Sequence, residues 1–557
     1  MSVADTRRDQ IYPVLNAAQI EVARRFASGP SRDFAPGESI FSIGERVSWS
    51  WLVLKGSIEI TRRDGLNRAV SVTSEHAGQF SGELSQLSGR GSLAEGQAGS
   101  AGCTALPFDA AHLRSLMIGS AELGEIVMRA FILRRVALLE AGGSGSVLVG
   151  RAGMPDLARL QNFLRRNGYP FVVLDANTDD EGRAVIERLG IQLNELPLMV
   201  CPNGSVLKRP SDAEAGMCLG ITPELDPEKL YDVAVVGAGP AGLGTAVYAA
   251  SEGLSAIVLD QRAFGGQAGA SARIENYLGF PTGISGLALT ARAFSQALKF
   301  GTEFAIPVEV TKLDCADHLR DPRAPLRLML DNGGTVQARS IVIASGARYR
   351  PLGVPNLAQF EGAGVSYWAS AIEAKLCEGQ EIAVVGAGNS AGQATVFLAP
   401  KVKRLHMVVR GSGLETSMSR YLIDRIASLP NVELHTRTEI VALEGDAASG
   451  LTGATFRHHA EGRSVVRALR HLFLFIGADP NAGGLKGCVA MDEKRFIVTG
   501  VATADGPRPP LETSLRGVFA IGDVRAGSIK RVAAAVGEGA TVVAQIHTLL
   551  GSASSRA

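Results

Sequence analysis

Two glycine-rich turns, each entered from a short apolar strand, constrain the fold of this chain more than any other feature. The first follows residues 231–236 and reads Gly237-x-Gly239-Pro240-Ala241-Gly242 before a helical pattern. Gly237 permits the tight turn, Gly239 lets the backbone approach a diphosphate, and Gly242 lets helix and strand pack closely. The diphosphate then sits at the helix N-terminus. A second strand, residues 256–259, ends in Asp260, 23 residues beyond Gly237, where a carboxylate can accept hydrogen bonds from ribose hydroxyls. The other turn follows residues 381–385 and reads Gly386-x-Gly388-Asn389-Ser390-Ala391. Two such fingerprints roughly 150 residues apart predict two nucleotide-binding lobes of Rossmann-like α/β type.

The strand after the second turn, residues 405–409, ends without an acid, and Arg410 stands where a carboxylate would hold a plain ribose. An arginine there suits a 2′-phosphate that a carboxylate would repel, so the second lobe is expected to take NADPH rather than NADH. Arg420 offers a second positive charge.

The remaining length divides into blocks. At 557 residues the chain exceeds one core, and three or four domains are expected. Residues 1–141 open with a helical stretch and continue as short strands with turn signals, closing on a helical pattern. Gly142-Gly143-Ser144-Gly145 reads as a joint. Residues 146–225 read strand, helix, strand, helix and then a hairpin turning at Asn203-Gly204. The two nucleotide lobes follow, with a first part of one lobe at 228–348, the other lobe at 349–474, and the rest of the first at 475–557.

Charge and cysteine usage narrow the partners. With 56 basic against 55 acidic residues, nothing asks for nucleic acid or an anionic membrane. Residues 233–251 carry no charge, but their glycines and Pro240 suit a strand, turn and buried helix better than a membrane span. The six cysteines, at 103, 201, 218, 315, 377 and 488, include no C-x-x-C pair, which excludes a local redox dithiol and a zinc knuckle. Reduced thiols in the cytoplasm and no metal are expected.

Further motifs bring in a family. Gly265-Gly266-Gln267, Glu275-Asn276-Tyr277-x-Gly279-Phe280-Pro281 and 517–524 (Gly-Val-Phe-Ala-Ile-Gly522-Asp523-Val) together resemble the flavin-contacting segments of thioredoxin reductases. Residues 341–346, ending at Gly346, and 473–477 match the strands that cross between the lobes of that family. The resemblance covers roughly residues 230–550. It implies FAD in the first lobe, with Asp523 on a ribityl hydroxyl, NADPH in the second, and a homodimer. Lys530-Arg531-Val532 stands where the family carries Arg-Gln-Ala/Val against the isoalloxazine, so the residue types there differ. Likewise the family's His-Arg-Arg is here Val409-Arg410-Gly411.

One departure bears on mechanism. The family places its C-x-x-C after a segment like Gly364-Val365-Ser366-Tyr367, but here Trp368-Ala369-Ser370-Ala371 follows, and Ile372 replaces the acid after the pair. Neither Trp368 nor Ala371 can relay electrons by thiolate attack. Trp368 is expected either to stack near the flavin or to serve as a core aromatic.

The two leading blocks carry resemblances of their own. The middle block resembles a glutaredoxin-like thioredoxin fold, with Leu196-Pro197 at the cis-proline position, but residues 150–155 hold no cysteine. Cys201 and Cys218 are expected to be buried small hydrophobes. The leading block, through Phe34-x-Pro36-Gly37-Glu38 and Phe80-Ser81-Gly82-Glu83-Leu84, resembles a cyclic-nucleotide-binding β-roll. There Glu83, after Gly82, stands at the glutamate that bonds the ribose, while Leu93 stands near the place of the family's phosphate-binding arginine and Arg90 is the nearby arginine, so a cyclic nucleotide, another small ligand or none is expected.

The expected activity is hydride transfer from NADPH to FAD and on to an acceptor reached without an internal dithiol. That acceptor could be a carrier protein, a quinone, oxygen or a substrate disulfide. No acid–base side chain stands out as catalytic. The alternatives are a disulfide reductase that uses a partner's cysteines, and an FAD- and NADPH-binding redox sensor with little turnover.

Overall fold

A computed structural model describes residues 6–554, apart from 44, 46–48, 64–65, 67–68, 83–84, 89–91, 93, 142–144, 152, 203, 221, 362–363, 447–449, 486 and 504–505. The leading block is an antiparallel sheet in the order Arg32–Phe34, Glu95–Phe108, Ser50–Arg63, Ala69–His76, with Ser39–Phe41 also on Glu95–Phe108. Alternation in Ser50–Arg63 turns Trp51, Val53, Ile58 and Ile60 into an apolar cluster with Phe41 and Ala105. Helices Ala110–Gly119 and Ala121–Ala141 follow.

The middle block is a four-stranded sheet, Phe171–Asp175, Ser146–Gly150, Leu198–Val200, Val206–Lys208. The first pair is parallel and the others are antiparallel. Pro155 at the first turn of Pro155–Arg166 supplies no amide where none is needed. Leu157, Leu160, Phe163 and Leu164 form the buried stripe of that helix. The Leu196–Pro197 bond is cis.

The first nucleotide lobe centres on parallel strands Glu303–Ala305, Ala256–Leu259, Leu230–Val236 and Thr335–Ile343, with Val518–Ala520 returning from the chain's end beside Thr335–Ile343. Strands buried on both faces read as unbroken apolar runs, as 233–236 does. The uncharged stretch 233–251 forms the end of this central strand and helix Pro240–Ser251. The long apolar helix Val532–Ser554 lies along Pro240–Ser251. A side chain at Gly539 would come within 2.8 Å of Ala241 O and Thr245 N, so glycine sets that close approach.

The second lobe is a five-stranded parallel sheet in the order Val365–Ser366, His471–Leu474, Glu381–Val385, Arg404–Val408, Val432–His435. A three-stranded antiparallel sheet, Thr438–Asp446, Gly450–His458 and Ser464–Ala468, packs beside it. Ala347–Tyr349 and Ala478–Pro480 pair antiparallel where the chain passes between the lobes.

The leading and middle blocks both pack on the first lobe. Helix Ala110–Gly119 lies against helix Gly286–Phe300, and Leu113, Leu116 and Met117 share one buried core with Phe294, Leu298 and Phe304. From the middle block, Gly216 sits so close to Pro307 that a Cβ would lie 2.6 Å from Pro307 Cδ.

The cysteine expectation needs correction. Cys201 is disulfide-bonded to Cys218, and Cys315 to Cys488, with Cα–Cα separations of 6.2 and 6.4 Å. Cys201 is buried as expected, but as half of a disulfide. Only Cys103 and Cys377 are free, and both are buried.

Candidate functional site

The first glycine cradle is built by sterics. Gly237 has φ +112°, and a Cβ on it would stand 2.3 Å from Ala344 O; one on Gly242 would stand 1.8 Å from Gly237 O. Both positions are closed to any other residue. Gly239 differs: the nearest atom to its would-be Cβ is Gly266 Cα, 3.9 Å away. It caps helix Pro240–Ser251, so the opening lies where backbone amides and the helix dipole favour an anion.

Asp260 ties this cradle together. Its Oδ2 accepts from Ala238 N at 2.8 Å, and its Oδ1 accepts from Arg262 N and Ala263 N at 2.9 and 3.1 Å. The carboxylate therefore shapes the loop through these backbone amides, and Oδ2 with one bond can still accept another.

Gly265 and Gly266, both at positive φ, carry the chain back over Gly239. Gln267 follows, and its Nε2 donates to Ala347 O on the crossing strand. Next to that strand, Gly346 has φ +67° and its carbonyl accepts from Asn481 N at 3.0 Å. Ser345 Oγ donates to Asn481 O at 2.6 Å, clamping the two crossings together. Asn276 is exposed on the loop closed by the Ile274–Ile284 bridge, away from the fingerprint turn in sequence.

The chain's end supplies the other wall. Gly522 donates its amide to Glu538 Oε2 at 2.6 Å, at the start of the turn that carries Asp523. Lys530 Nζ donates to Asp523 O at 2.6 Å and lies 4.7 Å from the Phe496 ring centroid. Burial pushes the Asp523 carboxyl up, Lys530 pulls it down, and Glu538 raises it. Arg531 is exposed and Val532 begins the final helix.

In the second lobe Gly386 has φ +139°, and a Cβ would meet Phe475 O at 2.5 Å. Gly388 has open space around its would-be Cβ and caps helix Asn389–Leu398. Ala391, buried, fills the third position. Asn389 Oδ1 accepts from Ser419 N at 2.7 Å, so it orders the 411–419 loop. Ser390 Oγ accepts from Tyr349 on the crossing strand at 3.4 Å, and burial together with the Asp523 charge raises the Tyr349 hydroxyl. Tyr349 thus bridges the two lobes' motifs, a role that sequence reading missed because nothing local marks it.

Arg410 is exposed just beyond the end of strand Arg404–Val408. Arg420 instead pairs with Asp424 at 2.8 Å, one helical turn away. A different arginine comes close: Arg437, at φ +49°, donates its backbone amide to Gly411 O at 2.8 Å and so stands beside Arg410.

In the turn where the resemblance would place a dithiol, Trp368 is 37% exposed, which removes the core-aromatic reading. Its Nε1 donates to Glu373 Oε1 at 3.0 Å, and Glu373 Oε2 accepts from Ser370 N at 3.0 Å. An acid is thus present one residue after Ile372, engaged in holding this turn. Cys377 is fully buried with its thiol pushed up to about 11 by burial, far from a thiolate nucleophile at neutral pH.

In the leading block, Gly82 has φ +107° and its carbonyl accepts from Arg134 Nη1 at 2.8 Å, while Arg134 also meets the buried Glu75 at 3.1 Å. Burial pushes Glu75 up to about 7 against the pull of Arg134. Glu83 and Arg90 lie outside the described residues.

The comparisons with known proteins agree with this geometry over the same span. The pyridine nucleotide-disulphide oxidoreductase family profile matches residues 231–539. A thioredoxin reductase of Mycolicibacterium smegmatis is 31% identical over 319 residues, 56% of this chain and 94% of that protein. NADPH-dependent thioredoxin reductase 3 of Arabidopsis thaliana is 31% identical over 317 residues, 56% of this chain and 57% of that protein. Among solved structures, thioredoxin reductase of Lactococcus lactis in its FR conformation superposes with a TM-score of 0.52 at 25% identity, covering 58% of this chain and 99% of that one. Thioredoxin reductases use FAD and NADPH, and the two open glycine cradles fit these groups. From its fingerprint turns to its returning C-terminal strand, the chain belongs to the pyridine nucleotide-disulphide oxidoreductase family.

Proposed function

We propose that this protein is an NADPH-dependent flavoprotein oxidoreductase that delivers electrons to its acceptor without an internal dithiol. The observation that carries this reading is the Trp368–Glu373 bond, which occupies the turn where a disulfide relay would stand. The flavin would supply the two-electron step between NADPH and the acceptor. The chain's own work is placement: Gly239 and Gly388 open the diphosphate sites, Asp523 faces the ribityl position, and Arg410 with Arg437 favours the 2′-phosphate.

Acceptor access then depends on Trp368, whose exposed ring suits a docking protein or a flat small molecule. A thioredoxin-type partner that brings its own cysteines is the second reading, favoured by the many thioredoxin reductases among the relatives. A sensor with little turnover is a third, motivated by the leading block's shared core with the FAD lobe. In all three the leading block serves as a cyclic-nucleotide-type sensor and the middle block as a thioredoxin-like docking module. The protein would act as a cytoplasmic homodimer.

Anaerobic titration of the yellow protein with NADPH and with NADH, read at ~450 nm, tests the proposal. Bleaching with NADPH ahead of NADH supports it, and no bleaching with either sinks it in favour of a sensor.

A further inference from the structure

Strands Arg404–Val408 and Val432–His435 run parallel at the edge of the second lobe's sheet, with His406 opposite Glu433 and Val408 opposite His435. Residues two apart on a strand share a face, so Glu433 and His435 point the same way, toward His406. Phe456, from the three-stranded sheet, packs edge-on against both imidazoles. The His406 side chain is buried, while His435 and Glu433 reach solvent.

Three donor atoms converge there. His406 Nδ1 is 3.1 Å from His435 Nε2 and 3.2 Å from Glu433 Oε2, and His435 Nε2 is 3.8 Å from Glu433 Oε1. One proton fits between the two imidazoles; a second would set two N–H groups head to head. Burial lowers both imidazoles' pKa, against the pull of Glu433, so the second proton is resisted. The cluster therefore turns more lone pairs inward than it has protons, a shortage that a cation fills. Donors about 2.0–2.1 Å from a tetrahedral ion stand about 3.3–3.4 Å apart, close to these spacings. Ligation through Nδ1 puts the His406 proton on Nε2, which lies 3.8 Å from Glu381 Oε2, the side on which a carboxylate backs a metal-bound imidazole. Two arginines oppose a cation without closing the site. Arg404 and Arg467 stand 3.7 and 3.6 Å from Glu433, beyond hydrogen-bond length, and both side chains have solvent to turn into.

We propose that His406, His435 and Glu433 bind one divalent cation of Zn2+ type, with a water as fourth ligand on the solvent side. Two imidazoles and one carboxylate select a late first-row ion over Mg2+ or Ca2+, which take oxygen ligands. The ion staples the two strands that lead into Arg410 and Arg437: Val409 N donates to His435 O at 2.9 Å, and Arg437 N to Gly411 O at 2.8 Å. The absence of a C-x-x-C motif does not bear on this site, because its ligands come from two separate strands.

The test uses the full-length flavoprotein, stripped of metal with a chelator and kept without reductant. Wild type, His435→Gln, Glu433→Ala and the control His459→Gln are titrated with Zn2+ by calorimetry. Zinc content after dialysis against excess Mg2+ and the thermal midpoint with and without Zn2+ are measured alongside. Wild type and His459→Gln are expected to hold one Zn2+ per chain and to melt higher with it. His435→Gln and Glu433→Ala are each expected to lose about tenfold or more in Zn2+ affinity and to show no such rise. Wild type that takes up no Zn2+, or gives it up to Mg2+, overturns the proposal. Zn2+ affinity within about twofold of wild type in either ligand variant also overturns it, and leaves the cluster as a hydrogen-bonded ion-pair group. If His435→Gln does not fold, Glu433→Ala, at a more exposed side chain, decides by the same two criteria.

Discussion

Trp368 donates its indole N–H to Glu373 at 3.0 Å, in the turn that follows Gly364-Val365-Ser366-Tyr367. The remaining free thiols are enclosed, and Cys377 is held protonated by burial. Flavin reduction by NADPH should therefore be independent of cysteine. Cys377→Ala is expected to reduce at the wild-type rate within about twofold in anaerobic stopped flow. A large loss, with the fold intact, would return a thiol to the mechanism.

The glycines of the first cradle should separate into two kinds. Gly237→Ala forces a Cβ to 2.3 Å from Ala344 O at a positive φ, and is expected to destabilise the protein by about 1–3 kcal/mol or more. Gly239→Ala meets no protein atom closer than 3.9 Å, so the fold should stand while the methyl takes the space of the diphosphate. Thermal melting and retained flavin absorbance, measured together, distinguish the two. Equal destabilisation by both substitutions would contradict the cradle described above.

Arg410→Ala should weaken NADPH about tenfold and leave NADH unchanged, because only the former carries the 2′-phosphate. Arg420→Ala should change neither by much, since Arg420 is spent on Asp424. Dissociation constants for both nucleotides decide the question. Greater sensitivity at Arg420 would reverse the assignment.

A pH dependence follows from the edge of the second lobe. His406 Nδ1 and His435 Nε2 are 3.1 Å apart beneath Phe456, with Glu433 3.2 Å from His406 and Arg404, Arg467 and Glu381 around them. Burial lowers both imidazoles, against the pull of Glu433. As pH falls through about 6.5 the unfolded chain takes up protons that the folded lobe resists. Stability present above that pH is lost as pH falls toward the folded values. Denaturant midpoints at pH 7.5 and 5.5 should fall accordingly, and His406→Gln should flatten the slope. An unchanged slope in that variant would assign the effect elsewhere.

Thiol counting checks the cysteine pairing. Denatured without reductant, the protein should show two thiols, those of Cys103 and Cys377, and after reduction all six. Six thiols before reduction would leave Cys201–Cys218 and Cys315–Cys488 as close but unbonded pairs.

The sequence by itself determined both nucleotide cradles. A turn that needs positive φ at Gly237 and Gly386 and no Cβ at Gly242 is a local demand, written in adjacent residues and readable from them. The order of apolar strands was legible for the same reason. Tertiary structure alone decided which distant groups meet. Arg166 reaches Gly266 across 100 residues of chain, and Cys315 finds Cys488 across 173. Tyr349 touches Ser390 from the other lobe, Glu373 turns inward to hold Trp368, and Arg420 turns to Asp424. Periodicity and spacing fix backbone geometry over a few turns. Partners of buried charges and thiols are set by how whole blocks pack, and no local pattern encodes that packing.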